Sequence, residues 1–438
     1  MKIKSIHLQN FRCFNEASSL FEDDLTVFVA QNGQGKSTFL DAIKIALWPY
    51  ISGFSLGNQT NIPTGIEVDD VFTIKNNDGY MNPVLPSSIY SEFEINGETI
   101  SDGRYRDSID PRTKTKDIKG TSILKKKAKN LERELFSGKI NKDINLPVIA
   151  YYGTGRLWNI RKLIQEKEIK KNQARTFGYR GCLDPSSTFK YFNEWYSKIY
   201  KTYRDAQIIA LEKGIDNKEE IKKRYTPIEV IQNAINEILT KHTGWKDIRY
   251  DTQSESLTLS NDTHGTLHVS QLSDGIRNLF GVVADIAYRC FLTNPSLEKD
   301  AAKKSTGIIL IDEVDMHLHP KWQQSILKDL CIAFPNLQFI VTTHSPQVIS
   351  SVEPRNIRIL DKSKVYLPET STYGAESARI LQEIFGTAIR PDNEVTDAIG
   401  NYFLLIHEGN YATKEALAIR AKLMSGLRMT PSLIRLII

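Results

Sequence analysis

The chain has 438 residues, 40% hydrophobic and 25% charged, and a net charge of +5. That length accommodates two or three domains, each with its own core, and the charge permits an acidic partner such as nucleic acid without demanding one. Its four scattered cysteines (Cys13, Cys182, Cys290, Cys331) form no CxxC pair, which argues against a disulfide framework and for reduced thiols.

The N-terminus MKIKSIHLQNFRCF alternates apolar and polar residues and carries no apolar signal core. No apolar run approaches the roughly 18–20 residues of a membrane span. A cytoplasmic protein without a membrane partner is therefore expected. Residues 3–9 and 25–30 read as strands, and the second runs into the glycine loop AQNGQGKST. From Ser37 to Trp48 the apolar residues Phe39, Leu40, Ile43, Ala46 and Leu47 recur at helical spacing. Residues 52–110, rich in Gly, Asn, Pro and Ser, read as an irregular β-rich arm. The segment 111–130 is basic, with eight Lys or Arg against one Asp. LPVIAYY then reads as a strand, 157–240 as mostly helical, and 247–270 as returning strands.

A helix is expected from near Ser273. Two apolar strands follow, GIILI at 307–311 and LQFIVTT at 337–343, separated by the helical KWQQSILKDLCIA. Alternating strands and helices imply a parallel sheet covered by helices. Residues 375–425 read as helical. The expected division is an N-terminal lobe (1–156), a helical insertion (157–240), a C-terminal lobe (241–365) and a helical extension (366–438).

Four motifs carry chemistry. Asn32, Gly33, Gln34, Gly35, Lys36, Ser37 and Thr38 form the core of a phosphate-binding loop, with Ala30 where the pattern's first glycine stands. Glycines let backbone N–H groups wrap phosphates, and the following helix aims its positive end at them. Lys36 would bridge the β- and γ-phosphates of ATP and the Ser37 hydroxyl would hold Mg²⁺. A plain glycine turn between strand and helix would use the same residue types. Alanine fits there if its φ is negative.

In IILIDEVD, Asp312 and Glu313 stand at a strand's C-terminal end, where open α/β sheets place ligands. Asp312 fits a Walker B carboxylate for Mg²⁺ and Glu313 a general base that orients water; an acidic pair capping the next helix is the structural alternative. QLSDGIRN places Ser273 and Gly275 at a helix N-terminus, where Ser273 alone would make an ordinary cap. His344 follows the strand in VTTHSPQ.

QLSDGIRN resembles the LSGGQ signature of ABC-type ATPases, and the order of the four motifs is similar to that family's. The resemblance implies an ABC-type P-loop fold of the α/β class, split by an inserted β-rich and helical arm, with a helical C-terminal extension. It implies that Ser273 and Gly275 bind the γ-phosphate of ATP held by a second subunit, that His344 is the switch histidine, and that the protein forms a homodimer or higher homo-oligomer. More than half of the chain separates Lys36 from Asp312, unlike transporter ATPases and like the SMC, RecF and OLD-type group. LQNFRCF resembles the opening motif of RecF- and OLD-type proteins, which implies Arg12 near the nucleotide. DEVDMHLHPKWQ resembles their DE-x-x-x-HLHP motif. His317 and His319 within it lack the clustered third ligand of a metal site.

VIAYYGTGRLW, QLSDGIRN and DAIGNYFLLIHEGNYATKEAL are similar to the PtuA ATPases of Septu and retron anti-phage defence. That resemblance implies a partner HNH nuclease, since no acidic nuclease cluster follows His344, and it suggests Arg156 as a substitute for the absent Q-loop glutamine. Asp274 departs from the signature's first glycine and brings a carboxylate toward a triphosphate. The basic segment 111–130 (Arg112, Lys114, Lys116, Lys119, Lys125, Lys126, Lys127, Lys129) is the candidate nucleic-acid contact, retron RNA or DNA included; a solvated charged loop is the alternative. An ATP-stabilised scaffold with little turnover and a RecF-like DNA-repair ATPase remain open beside the defence ATPase.

Overall fold

Four short apolar runs, LTVFV, VIAYY, GIILI and LQFIVTT, have every residue buried, as strands covered on both faces require. In a computed structural model, which describes residues 1–55, 57, 63–120, 122–137, 144–156, 175–185, 188–214 and 217–426, they become neighbours in one sheet. The chain begins with β1 (Lys2–Phe11), β2 (Phe14–Leu20), β3 (Leu25–Val29), α1 (Lys36–Ile51), β4 (Thr73–Lys75), β5 (Met81–Pro83), β6 (Ser87–Ile95), β7 (Glu98–Arg106), β8 (Lys116–Asp117), α2 (Ile123–Phe136) and β9 (Val148–Tyr152). Next come α3 (Thr188–Lys213), α4 (Lys218–Ile235), α5 (Lys241–Thr243), β10 (Lys246–Asp251), β11 (Ser256–Asn261), β12 (Gly265–His268), α6 (Asp274–Thr293) and α7 (Ala301–Lys304). The sequence then gives β13 (Gly307–Ile311), α8 (Pro320–Gln323), α9 (Ile326–Ala333), β14 (Leu337–Thr343), α10 (Pro346–Ile349), β15 (Ile357–Asp361) and β16 (Lys364–Tyr366). It ends in α11 (Ser377–Glu383), α12 (Glu394–His407) and α13 (Lys414–Gly426).

The central sheet has the order β16-β15-β3-β14-β13-β9, and all neighbours are parallel except β15 and β16. A second, antiparallel sheet has the order β2-β1-β6-β7-β8. Part of the β-rich segment therefore does not stand off as an irregular arm. β6 and β7 extend β1, because Ile89, Phe93 and Ile95 alternate and bury on the same side as Ile6 and Leu8.

Helix α1 lies between the two sheets, which is why its buried residues (Phe39, Leu40, Ile43, Ala46 and Leu47 among them) are not confined to one stripe. Phe39 stacks on Phe28 at 4.9 Å and meets the edge of Phe14 at 5.1 Å. The sheets are also pinned by Gln338 of β14, whose amide accepts from Ile3 N and donates to Ile3 O, both at 2.8 Å. Helices α3 and α4 supply the expected helical segment from 188 onward; its portion at 157–174 lies outside the described residues. The helix expected over 321–333 breaks at Gln324–Ser325 into α8 and α9.

Two compact units result, Met1–Ser377 and Ala378–Ile438. Within the second, α12 and α13 share a small core of Ile399, Tyr402, Ala416 and Leu423. Among the described residues, no helix is long and apolar enough to cross a membrane.

Candidate nucleotide site

Parallel strands end together, so β3, β14, β13 and β9 deliver their following turns to one edge of the sheet. Those turns carry the glycine loop, His344, Asp312–Glu313 and Gly153–Arg156, respectively. Gly33 (φ +81°) and Gly35 (φ +93°) both adopt the left-handed conformation that glycine permits. A Cβ on Gly35 would also lie 2.5 Å from the Phe14 ring and 2.8 Å from Cys13 Sγ, so the β1–β2 turn packs directly on the loop. Ala30 is outside the left-handed region and buried at the end of the strand. Its methyl joins the core while its carbonyl accepts from Lys36 Nζ at 2.9 Å.

Lys36 is 7% exposed, and its other bond is to the Gln31 carbonyl at 3.2 Å. Among the described residues no carboxylate forms an ion pair with it. Burial lowers its pKa to about 8, with the more distant carboxylates of Asp312, Glu313 and Asp315 pulling the other way. A buried ammonium with only carbonyl partners suits an incoming polyanion.

Next to it, Ser37 Oγ donates to Asp312 Oδ2 at 2.9 Å and Thr342 Oγ1 donates to Asp312 Oδ1 at 2.5 Å. The same Thr342 oxygen accepts from Glu313 N at 2.8 Å. One threonine thus holds the Asp312 carboxylate and the Glu313 backbone. Glu313 sits at φ +48°, a conformation costly for a residue with a Cβ. The Ser37 hydroxyl and the Asp312 carboxylate offer the hard oxygens that Mg²⁺ takes. His344 is half-buried, and burial together with the charge of Lys36 lowers its pKa, favouring the neutral imidazole at neutral pH.

Arg12 (φ +50°) donates to Asp70 at 2.8 Å and to Asp41 at 2.5 Å, which anchors the residue preceding Cys13 to the side of α1. Asn32 is exposed, and the Gln34 side chain accepts from Lys362 N at 3.3 Å. Thr38 is buried in the first turn of α1.

Ser273 holds the N-cap position of α6 and is exposed, yet its side chain makes no capping hydrogen bond. Gly275 faces the Walker B turn: a Cβ there would stand 2.3 Å from the His317 carbonyl. Asp274 is paired with Arg277 one turn along, so its charge is partly balanced within the helix. The structure therefore brings Lys36, Ser37, Asp312 and Glu313 together directly, and ties the signature turn to the far side of the 312–317 turn.

His319 accepts from Lys321 N at 3.2 Å as the cap of α8, and no cluster of three potential metal ligands occurs among the described residues. Sequence reasoning passed over Thr342, although it lies inside VTTHSPQ, and Asn278, although it lies inside QLSDGIRN; neither residue type signals a role until its partners are known.

A family model described as AAA domain matches residues 5–243, over half of the chain, and one described as AAA ATPase domain matches 158–349. The retron Ec83 probable ATPase of Escherichia coli is 28% identical over 97% of this chain and 83% of its own length. A Septu protein PtuA of Bacillus mycoides is 33% identical over a shorter stretch, 32% of this chain and 19% of its own. Among solved structures, an SMC head bound to the winged-helix domain of ScpA superposes with a TM-score of 0.50 at 15% identity, over 85% of this chain and 98% of that one. The α/β layout with its glycine loop and paired acids is that of a P-loop ATPase head, and the chain belongs to the AAA-domain family of ATPases.

Proposed function

We propose that this ATPase acts as a head-to-tail homodimer, in which the phosphate loop and Walker B pair of one protomer face the signature turn of the other, and that its turnover regulates a partner nuclease of the HNH type in anti-phage defence. The observation that carries the ATPase chemistry is the shared network of Ser37, Asp312, Thr342 and Glu313 beside Lys36. Gly33, Gly35 and the start of α1 would wrap the phosphates, with Asn32, Gln34 and Thr38 completing the loop. Lys36 would meet the β- and γ-phosphates, and Arg12 would support the loop from the β1–β2 turn. Ser37 and Asp312 would hold Mg²⁺, which screens phosphate charge when bound. Glu313 would orient water and accept its proton, while neutral His344 would donate to the γ-phosphate.

The uncapped Ser273 hydroxyl favours the dimeric arrangement, because it is exposed and not used by its own helix. Gly275 would offer its amide beside it. The retron and Septu names among the relatives support the defence setting. Within the basic segment, Lys127 is paired with Glu98 and Lys116 with Asp107. Lys126 and Lys129 on α2 are exposed and form the stripe best placed for nucleic-acid phosphates, retron RNA or DNA included.

The reading is tested by purifying the chain with and without the nuclease from its native operon. ATP-dependent dimerisation of Glu313→Gln, and nucleic-acid cleavage only with the partner and only under ATP control, are expected. Robust cleavage by the ATPase alone would overturn the partner requirement. Full defence by a hydrolysis-dead Glu313→Gln that still assembles would favour the scaffold reading.

A further inference from the structure

Arg156 is 8% exposed and spends its whole guanidinium on bridging two parts of the fold. Nε donates to Asn278 Oδ1 of α6 at 2.6 Å; Nη1 donates to the carbonyls of Asp312 at 2.6 Å and Gly153 at 3.0 Å; Nη2 donates to the carbonyl of Glu313 at 2.8 Å. Asn278 in turn donates to the Met316 carbonyl at 2.9 Å. Gly275, one turn earlier on the same face of α6, is in close contact with the His317 carbonyl. The turn from Asp312 to His317 is thus held from behind by α6, the helix that begins with the signature residues.

That turn needs holding. Glu313 (φ +48°) and His317 (φ +63°) are both L-residues in the left-handed region, a strained conformation that persists only where the surrounding structure imposes it. Arg156 approaches this segment through carbonyls rather than through the acidic side chains, so it sets backbone position and does not engage either carboxylate. A second buried tie, Tyr152 Oη to Asp285 Oδ2 at 2.7 Å, joins the next part of α6 to β9, from whose end Arg156 projects.

We propose that Arg156 and Asn278 are positioning residues that couple two ATP half-sites within one protomer. Engagement of the signature turn by a partner's nucleotide shifts the start of α6, and the Asn278–Arg156 link passes that shift to the backbone of Asp312 and Glu313. A protomer then hydrolyses its own ATP only when its signature is seated on its neighbour's. This inference rests on the head-to-tail dimer proposed above.

The test uses the full chain. ATP-driven dimerisation of Glu313→Gln, read by light scattering, examines the dimer first; no dimer would refute that reading and this inference with it. If the dimer forms, Asn278→Ala is expected to bind ATP at low protein concentration within about twofold of wild type. It should lower kcat at least tenfold with little change in KM, and bring the Hill coefficient of turnover from near 2 toward 1. Arg156→Lys, which keeps the charge but not the four-way bridge, is expected to show the same split. Asn278→Ser replaces Asn278→Ala if the latter shows no cooperative thermal transition. Wild-type kcat and cooperativity in folded, dimer-forming variants would overturn the coupling, as would a fall in ATP affinity that accounts for the lost turnover.

Discussion

Raising the pH from 7 to 9 should weaken ATP binding about tenfold, and Lys36 is the reason. Burial lowers its pKa to about 8 in the free protein, so the ammonium is about 90% populated at pH 7 and about 10% at pH 9. A bound triphosphate favours the charged form strongly, which makes binding take up a proton once the free lysine is neutral. The sign follows directly: affinity is nearly complete at pH 7 and is lost as pH rises through about 8. A tenfold loss corresponds to about 1.4 kcal/mol. The assay is isothermal calorimetry of Mg–ATP with the non-hydrolysing Glu313→Gln variant at half-unit pH intervals, with circular dichroism checking the fold. Titrations at pH 8 in buffers of different ionisation enthalpy should report uptake of about half a proton. Lys36→Met should bind weakly and without this pH slope. A constant dissociation constant from pH 7 to 9, or an unchanged slope in Lys36→Met, would refute the reasoning.

Glu313→Gln should retain ATP binding and reduce single-turnover hydrolysis by roughly 10²–10⁴-fold, the range for loss of a general base; rapid-quench measurement checks it. Gly35→Ala should abolish ATP binding and lower the thermal midpoint, because a Cβ at φ +93° would meet Phe14 and Cys13. Asp285→Ala should destabilise the protein by roughly 3–5 kcal/mol in denaturant titrations, since it strands the fully buried Arg289 with which it pairs at 2.7 Å. Replacing Lys125, Lys126 and Lys129 with glutamine should flatten the salt dependence of nucleic-acid binding measured by fluorescence anisotropy; an unchanged slope would remove α2 from the contact surface.

Much of the central sheet could be read from the chain, because strands buried on both faces are dominated by apolar residues, as GIILI and the LQFIV of LQFIVTT are. The glycine loop was legible for a related reason: its left-handed backbone restricts which residues can occupy it, and that restriction survives in sequence. The antiparallel sheet was harder. SIYSEFEI alternates as a strand should, but alternation does not say that its partner is β1, far away in the chain, rather than a neighbour in a projecting arm. Pairing across such distances is decided by which apolar faces meet around α1.

The sequence by itself determined the chemistry available: a lysine and a serine after a glycine loop, an aspartate and a glutamate after an apolar strand, a serine and a glycine ahead of a long helix. These are local patterns, in which residue type and spacing carry the physical requirement. Only the tertiary structure decided what orients them. Thr342 reaches both acids because β14 lies beside β13. Arg156 meets Asp312, Glu313 and Asn278 because β9 lies on the other side of β13 and α6 packs behind the turn. The bonds of Arg156 end largely on backbone carbonyls, which every residue possesses, so no residue pattern could have announced them.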